Sequence, residues 1–366
     1  MTRKKKIRVA VIFGGKSAEH EVSLQSAKNV IEALDKDKYE PVLIGIGKDG
    51  RWFLNQRSQF LLHADNPKLV KLNKENKTVA LVSEGRTTDL VAIESGEKRG
   101  IDVVFPVLHG PFGEDGTIQG MLKLMDIPFV GPSVLGSAIG MDKDVMKRLL
   151  KAADIPTPKF LVFDSPKTAD FKQVKAILGL PVFVKPANLG SSVGVSKAKD
   201  RVQFLKAIKQ AFAFDRKIIV EQFIEGREIE CAVLGNEKPR ASIPGEVIPH
   251  HEFYSYDAKY IDEHGAVLEI PAKLPKKLVK EVQDLAVRTF KVLCLEGMAR
   301  VDFFLSKRGK LFVNEANTIP GFTKISMYPK LWEASGISYP DLIDRLIQLA
   351  LERHRKEKNL KTNYEL

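Results

Sequence analysis

The stretch RVDFFLSKRGKLFVNEAN, residues 300–317, sets polar side chains where a packed hairpin should be apolar. Two β-prone runs, 300–305 and 310–315, flank the short turn 306–309. Alternation along a strand puts Arg300 and Asp302 on one face, and Glu315 and Asn317 on one face of the partner strand. If the hairpin pairs in register, the oxygen donors Asp302, Glu315 and Asn317 meet across it. Mg²⁺ is typically held by one or two carboxylates with substrate phosphates and water, so the trio suits a cation serving a nucleotide. The competing reading is a solvated strand face, although charges inside VDFFL and LFVNEA are hard to explain by packing.

A second segment, KPANLGSSVG at 185–194, joins two strand-like runs and combines a lysine, two glycines and two serines. Such a loop can turn consecutive N–H groups and hydroxyls toward an anion, and only small residues let a phosphate come that close. Lys185 supplies a point charge; an ordinary hairpin turn with a surface lysine is the alternative. The GGKS at 14–17 is not a Walker A loop, because position 10, five residues before its G-K pair, is alanine. No G-x-G-x-x-G follows the first strand either, so a nucleotide must be held by a different fold.

At 366 residues the chain suits two or three domains. An apolar strand at 7–13, a helix at 23–34 and a strand at 41–47 open a βαβ unit. A further strand at 102–108 runs into the loop HGPFGEDG at 109–116 and a helix at 117–125. Residues 1–130 therefore read as a doubly wound α/β domain whose ligands gather at the carboxyl ends of its strands, where His109 stands. Gly, Ser and Pro between 131 and 140 mark a boundary, followed by a helix at 142–152. Alternating strands and helices from 159 to 222 make a compact α+β unit, giving a central domain over 131–221. The remainder, 222–366, holds strands at 227–234, 241–248, 300–305 and 310–315 and helices at 276–292 and 338–354. Ser338 and Asp341 form a capping box for the last of these.

With 44% hydrophobic and 28% charged residues, the composition is that of a soluble globular protein. Much of the +12 net charge sits in 3–8 and 353–361, as solvated termini. Without a recognition-helix pattern, zinc-finger spacing or aromatic RNA-binding strand, nucleic acid is not an expected partner. No run approaches the roughly 18 apolar residues of a membrane span. The basic start leads only to the short apolar run 9–13, ending at Gly14-Gly15, which is no signal-peptide core, so a cytoplasmic location is expected. Cys231 and Cys294 are far apart and suggest neither a disulfide framework nor zinc; two buried thiols are the plain reading.

Seven segments together resemble the ATP-grasp ligases, and more narrowly the D-alanine:D-alanine ligases. They are VIFGGKSAEHEVS (11–23), LHGPFGEDGTIQG (108–120), MDKDVMK (141–147), VKPANLGSSVGVSK (184–197), FYSYDAKY (253–260), ARVDFF (299–304) and NEANTIPGFTKISMYP (314–329). Their order along nearly the whole chain makes the resemblance specific. It implies three domains meeting at one site, with ATP clasped between the central and C-terminal α+β units, Lys143 and Lys185 on the phosphates and Ser192 in the same loop. Glu221, Phe223, Ile224, Glu228 and Phe304 would form the adenosine pocket. Two Mg²⁺ ions, replaceable by Mn²⁺, would sit on Asp302, Glu315 and Asn317.

By the same resemblance, Glu21 recognises the ammonium of a first D-alanine and His109 stands beside it. Glu21 also falls at a helix start, where an anion complements the helix dipole, so a purely structural role stays open. Ser191 and Tyr260 link to Glu21 and draw down a lid near 248–264, with Lys259-Tyr260 resembling the dipeptide-forming members. Arg300 and the Gly321 N–H serve an oxyanion, and Ser326 with the Met327 backbone holds a second carboxylate. Lys324 stands close to that second-substrate region; His250 and His251 lack metal-ligand company. The implied activity is ATP-dependent joining of two D-alanines through an acyl phosphate, for peptidoglycan, with a homodimer as the family expectation. Ligases that use D-lactate or D-serine, and a nucleotide-binding protein that has lost catalysis, remain the alternatives.

Overall fold

A computed structural model describes residues 5–56, 60–63, 66, 69–74, 76–83, 88–249 and 266–361 of the 366. The N-terminal sheet grows from the apolar strand β1 (Ile7–Gly14), followed by helix α1 (His20–Ala33) and β2 (Tyr39–Ile46). After β3 (Trp52–Asn55) come a small pair, β4 (Leu61–Leu62) and β5 (Lys71–Leu72), then β6 (Lys77–Ser83), β7 (Thr88–Ala92), β8 (Lys98–Gly100) and β9 (Val103–Val107). The order is β8-β7-β6-β3-β2-β1-β9, with β1 parallel to both β2 and β9 and the rest antiparallel. Side chains of β1 alternate between two buried faces. Val9, Val11 and Phe13 pack with Leu24, Ala27 and Ile31 of α1, whereas Ala10 and Ile12 pack with Ile118 and Leu122 of α2 (Thr117–Leu124). Helices on both faces make the doubly wound core, which the antiparallel strands between 52 and 100 extend.

The segment 131–140, expected as a boundary, contains helix α3 (Val134–Met141). Its glycines serve packing: a Cβ on Gly136 would lie 2.4 Å from the Cys294 carbonyl oxygen. Helix α4 (Lys143–Ala152) follows, capped by the Asp142 carboxylate, which accepts from the N–H groups of Asp144 and Val145. A four-stranded antiparallel sheet comes next. It comprises β10 (Phe160–Phe163), β11 (Val182–Pro186), β12 (Ser196–Ala198) and β13 (Ile218–Gln222) in the order β10-β13-β11-β12. Helices α5 (Phe171–Leu178) and α6 (Arg201–Ala211) cover one side with Val174, Leu178, Phe204 and Ile208.

The third sheet contains β14 (Gly226–Gly235), β15 (Arg240–Ala241), β16 (Gly245–Pro249), β17 (Ala266–Glu269), β18 (Gly297–Ser306) and β19 (Leu311–Asn317). Its order is β17-β16-β14-β18-β19, with β15 beside β14. The single strand expected at 241–248 is divided because Pro244 has no N–H for the ladder and Ser242 Oγ takes the Ala232 N–H (3.0 Å). Helix α7 (Lys276–Val292) joins α3 and α4 on one face, where Ile139, Met146, Leu150 and Phe290 bury against Ile229, Val301 and Phe303. Helices α8 (Met327–Ala334) and α9 (Tyr339–Lys358) lie on the other side. There Tyr328, Leu342 and Leu346 share one core with Val9 and Phe105, so the C-terminal helix completes the N-terminal sheet. Buried Arg353 ties the join by donating to the carbonyls of Gly131 (2.6 Å) and Phe129 (2.8 Å). Among the described residues no helix is long and apolar enough to cross a membrane.

Candidate active site

Strands β18 and β19 pair Arg300 with Asn317 and Asp302 with Glu315; then the register slips, so that Phe303 faces Val313. Asn314 is the extra residue of a β-bulge, a device that bends a strand and re-aims side chains. Without the bulge Asp302 would face Asn314; the slip by one residue brings Asp302, Glu315 and Asn317 onto one face, and Asn317 Nδ2 donates to Asp302 Oδ2 at 2.8 Å. Glu230 of β14 stands opposite Asp302 in the next strand. Arg300 answers both acids, with Nε and Nη2 each 2.7 Å from Asp302 oxygens and Nε 2.8 Å from Glu230 Oε2. Lys143 Nζ lies 3.7 Å from Glu315 Oε2. A facing pair of partly buried carboxylates with an amide, answered by cations, is the hard-oxygen donor set that fits Mg²⁺.

Beside the hairpin lies a cleft of about 250 Å³ between the second and third sheets. The structure brings Lys143, Lys185, Ser192, Glu221, Phe223, Ile224, Glu228 and Phe304 together in its wall. Lys143 opens α4 and donates to the Leu189 carbonyl (2.6 Å) in the 185–194 loop. Lys185 Nζ lies 2.6 Å from Glu221 Oε2, and Lys147 Nζ lies 2.9 Å from Oε1 of the same carboxylate. Burial alone would raise the Glu221 pKa, but the two lysines outweigh it and hold the carboxyl at about 2. Phe183 and Phe223, with ring centroids 6.0 Å apart, supply apolar wall.

A second, smaller hollow adjoins the cleft and is lined by Glu19, His109, Glu114, Ser191, Arg300, Gly321, Ser326 and Met327, among others. Ser191 Oγ donates to the Glu19 carboxylate. Gly110, at φ +74°, passes so close that a Cβ there would lie 2.6 Å from Glu19 Oε2. His109 is buried, with Nδ1 3.0 Å from the Ile319 carbonyl and Nε2 3.3 Å from Ser26 Oγ. Because the Ile319 carbonyl can only accept, Nδ1 carries the proton and Nε2 is left to accept from the Ser26 hydroxyl; this assigns the Nδ1–H tautomer. Burial depresses the imidazole pKa to about 4, leaving a neutral ring. Glu114 accepts from the N–H groups of Gly110 (2.7 Å) and Ile319 (3.1 Å), and burial, followed by the charge of Glu19, pushes its pKa up.

One expected residue is displaced. Glu21 lies in the first turn of α1 and pairs with Lys48 on the surface (2.7 Å), and Glu19 stands in the hollow instead. Two residues correspond to about 200° around a helix, so acids at 19 and 21 cannot face the same way. The acid nearer the carboxyl end of β1 is the one the parallel-sheet rule favours, a signal the sequence already carried. Lys259, Tyr260 and the His250-His251 pair lie outside the described residues. Lys324 is exposed beside Ile325 and Ser326, which line the hollow. The reading also missed Glu114, Lys147, Glu230 and Asn314. Lys147 was within reach, being four residues after Lys143 and hence on the same helical face.

Residues 8–132 match the family model described as D-ala D-ala ligase N-terminus, and residues 149–348 match D-ala D-ala ligase C-terminus. The D-alanine–D-alanine ligase of Shouchella clausii is 56% identical over 361 residues, covering 98% of each chain. Among solved structures, the VanG D-Ala:D-Ser ligase of Enterococcus faecalis superposes with a TM-score of 0.84 at 36% identity, covering 94% of this chain and 100% of that one. The D-alanine–D-alanine ligase of Bacillus anthracis complexed with ATP gives 0.73 at 30% identity, covering 97% and 100%. Two family models matched in order, and one relative followed almost from end to end, make this chain a member of the D-alanine–D-alanine ligase family, built on the ATP-grasp fold.

Proposed function

We propose that the protein joins two molecules of D-alanine into D-alanyl-D-alanine, converting ATP to ADP and phosphate. One observation carries the reading: the lysine-lined cleft and the Glu19 hollow share a wall made of Gly190, Ser191 and Glu315. A triphosphate in the cleft would thus end where a small amino acid begins. The carboxylate of the first D-alanine, its ammonium held by Glu19, attacks the γ-phosphorus, forming an acyl phosphate as ADP leaves. Phosphoryl transfer asks chiefly for positioning and charge neutralisation, which Lys143 and Lys185 provide. Held by Asp302, Glu315 and Asn317, two Mg²⁺ ions, or Mn²⁺ in their place, would add neutralisation of phosphate charge.

The deprotonated amine of the second D-alanine, its carboxylate on Ser326 and the Met327 N–H, then attacks the acyl carbon. Phosphate departs and the peptide bond remains. Arg300 and the Gly321 N–H face the oxyanion of that step, the kind of preorganised donor pair that lowers such barriers most. Neutral His109 beside the first substrate offers no competing positive charge. Ser191 links Glu19 to the phosphate loop, and Lys259 and Tyr260, outside the described residues, would serve to keep water from the acyl phosphate. Residues 1–130, 131–221 and 222–366 act as the three units around this site. The product would feed peptidoglycan precursors in the cytoplasm, where ATP is available.

Similarity to a D-Ala:D-Ser ligase keeps D-serine as a second acceptor to be tested. Phosphate release with ATP, Mg²⁺ and D-alanine, L-alanine, D-serine or D-lactate in parallel, with product masses, decides among them. Release with D-alanine alone, abolished by EDTA and restored by Mg²⁺, is expected. Silence with every amino acid would leave only a nucleotide-binding protein, and a mixed product would move the second site to D-serine or D-lactate.

A further inference from the structure

We propose that Lys147 is a positioning residue for nucleotide selection: it fixes Glu221 so that Oε2 can accept the exocyclic amino group of adenine while Lys185 turns to the phosphates. This rests on the ATP reading of the cleft. Lys147 is completely buried and takes no part in lining the cleft, whereas Lys185 and Glu221 both line it. Its ammonium is surrounded by three oxygens: Thr157 Oγ1 at 3.0 Å, the Asn314 carbonyl at 3.0 Å and Glu221 Oε1 at 2.9 Å. An ammonium has three donors, so none remains for a ligand and any influence on a nucleotide must pass through those partners.

The two lysines on Glu221 are not equivalent. Lys185 also reaches Asn314 Oδ1, at 3.4 Å, and shares the cleft wall with Lys143 and Glu315, where phosphates would lie. Once Lys185 leaves Oε2 for a phosphate, the buried carboxylate keeps Lys147 as its near cation. Without Lys147, Glu221 would retain Lys185 and deny it to the nucleotide, since a buried carboxylate stripped of its last partner is strongly disfavoured. The freed Oε2 accepts an N–H. Adenine presents an amino donor at its six position and guanine a carbonyl acceptor, so the geometry favours ATP over GTP. The grip on the Asn314 carbonyl also holds the bulge that precedes Glu315, placing both consequences on one side chain.

The test compares wild type with Lys147→Met, which keeps the aliphatic stem, and Lys147→Gln, which keeps an N–H donor for Glu221 without the charge. Phosphate release at saturating D-alanine gives kcat and KM for ATP and for GTP, and thermal unfolding is followed alongside. Lys147→Met should raise the KM for ATP about tenfold with kcat within about threefold, and lower the ATP-to-GTP ratio of kcat/KM about tenfold. On a Glu221→Gln background the same change should have little further effect, since residues acting through one contact are not additive. Lys147→Gln should fall between the two. Equal loss for ATP and GTP, a fall in kcat alone, or full additivity with Glu221→Gln would overturn the proposal. A merely structural lysine would lower the melting temperature and leave the nucleotide ratio unmoved. If the wild type itself consumes no ATP with D-alanine, the ligase reading fails; isothermal titration with ATP and GTP then tests Lys147 directly, the same loss of preference being expected.

Discussion

Replacing Glu19 by Gln, in parallel with Glu21 by Gln, separates two acids that stand two positions apart in SAEHEVS. Glu19 is 6% exposed, accepts from Ser191 and lines the hollow beside Arg300. A charged hydrogen bond to an ammonium there is worth about 1.5–3 kcal/mol, so losing the charge should weaken the first D-alanine roughly 10- to 150-fold. Glu21 is different: its side chain is 38% exposed and its partner Lys48 59%. Solvent screening limits that pair to about 1 kcal/mol at most, all of it in stability. Glu21→Gln should therefore leave the D-alanine saturation curve within about twofold of wild type. The assay is phosphate release against D-alanine concentration at saturating ATP and Mg²⁺, with thermal unfolding to exclude misfolded material. A larger loss from Glu21→Gln than from Glu19→Gln would refute the assignment and with it the geometry drawn for the first substrate.

Arg300→Ala should lower kcat about 10²- to 10³-fold and leave the KM for ATP within about threefold, as removal of an oxyanion donor does; matching losses in both would argue against that role. It also strips Glu230 and Asp302 of their shared cation, so a lower melting temperature is expected with it. His109 gives a pH prediction with a definite sign. Its folded pKa, about 4, lies below the ordinary 6.5, so the unfolded chain takes up the proton first. Its contribution is complete above pH 6.5 and is lost as pH falls toward 4, on the order of 3 kcal/mol in all. Urea midpoints at pH 7 and pH 5 should therefore fall less for His109→Asn than for wild type.

What the sequence revealed and what it hid follow from the range over which each feature is determined. Period-two alternation is local, and so the strands of the 300–317 hairpin and the shared face of Arg300 with Asp302, and of Glu315 with Asn317, could be read before any coordinates, whereas the slip that sets Asp302 opposite Glu315 could not. The helix expected at 276–292 appears with those bounds because its apolar face is continuous. Strands β6 to β8 escaped notice: in β6 most of KTVALVS is exposed or half-buried, which gives no clean pattern. Helix α3 was not expected because the Gly, Ser and Pro of 131–140 mark a boundary, although Gly136 answers a carbonyl belonging to residue 294. The choice between Glu19 and Glu21 was missed for a related reason. An acid at an N-cap ordinarily folds back onto its own helix, but Glu19 makes no side-chain cap bond and meets Ser191, 172 residues away. Glu230 and the Asn314 bulge depend on strand order and on register, which no local pattern reports.

The charges gathered here explain how one site can be both stable and receptive to a triphosphate. Lys185 is paired with Glu221, Arg300 with Glu230 and Asp302, Lys143 with Glu315 and the Leu189 carbonyl, and Glu19 with Ser191. Each is largely buried or half-buried, and an uncompensated charge at such depth would cost several kcal/mol. On the proposed function a nucleotide and an amino acid would therefore enter largely by exchange: phosphate oxygens would replace carboxylates on the lysines, an ammonium would share Glu19 with the Ser191 hydroxyl, and divalent cations would replace Arg300 and Lys143 on Asp302 and Glu315. Exchange gives up affinity, since each new contact is offset by one broken. It returns specificity, because a ligand that supplies only part of the set leaves a buried carboxylate or ammonium without a partner. On this view discrimination against the wrong nucleotide or amino acid comes mainly from partners left unsatisfied inside the protein. Single substitutions that remove one member of a pair should consequently lower both selectivity and stability.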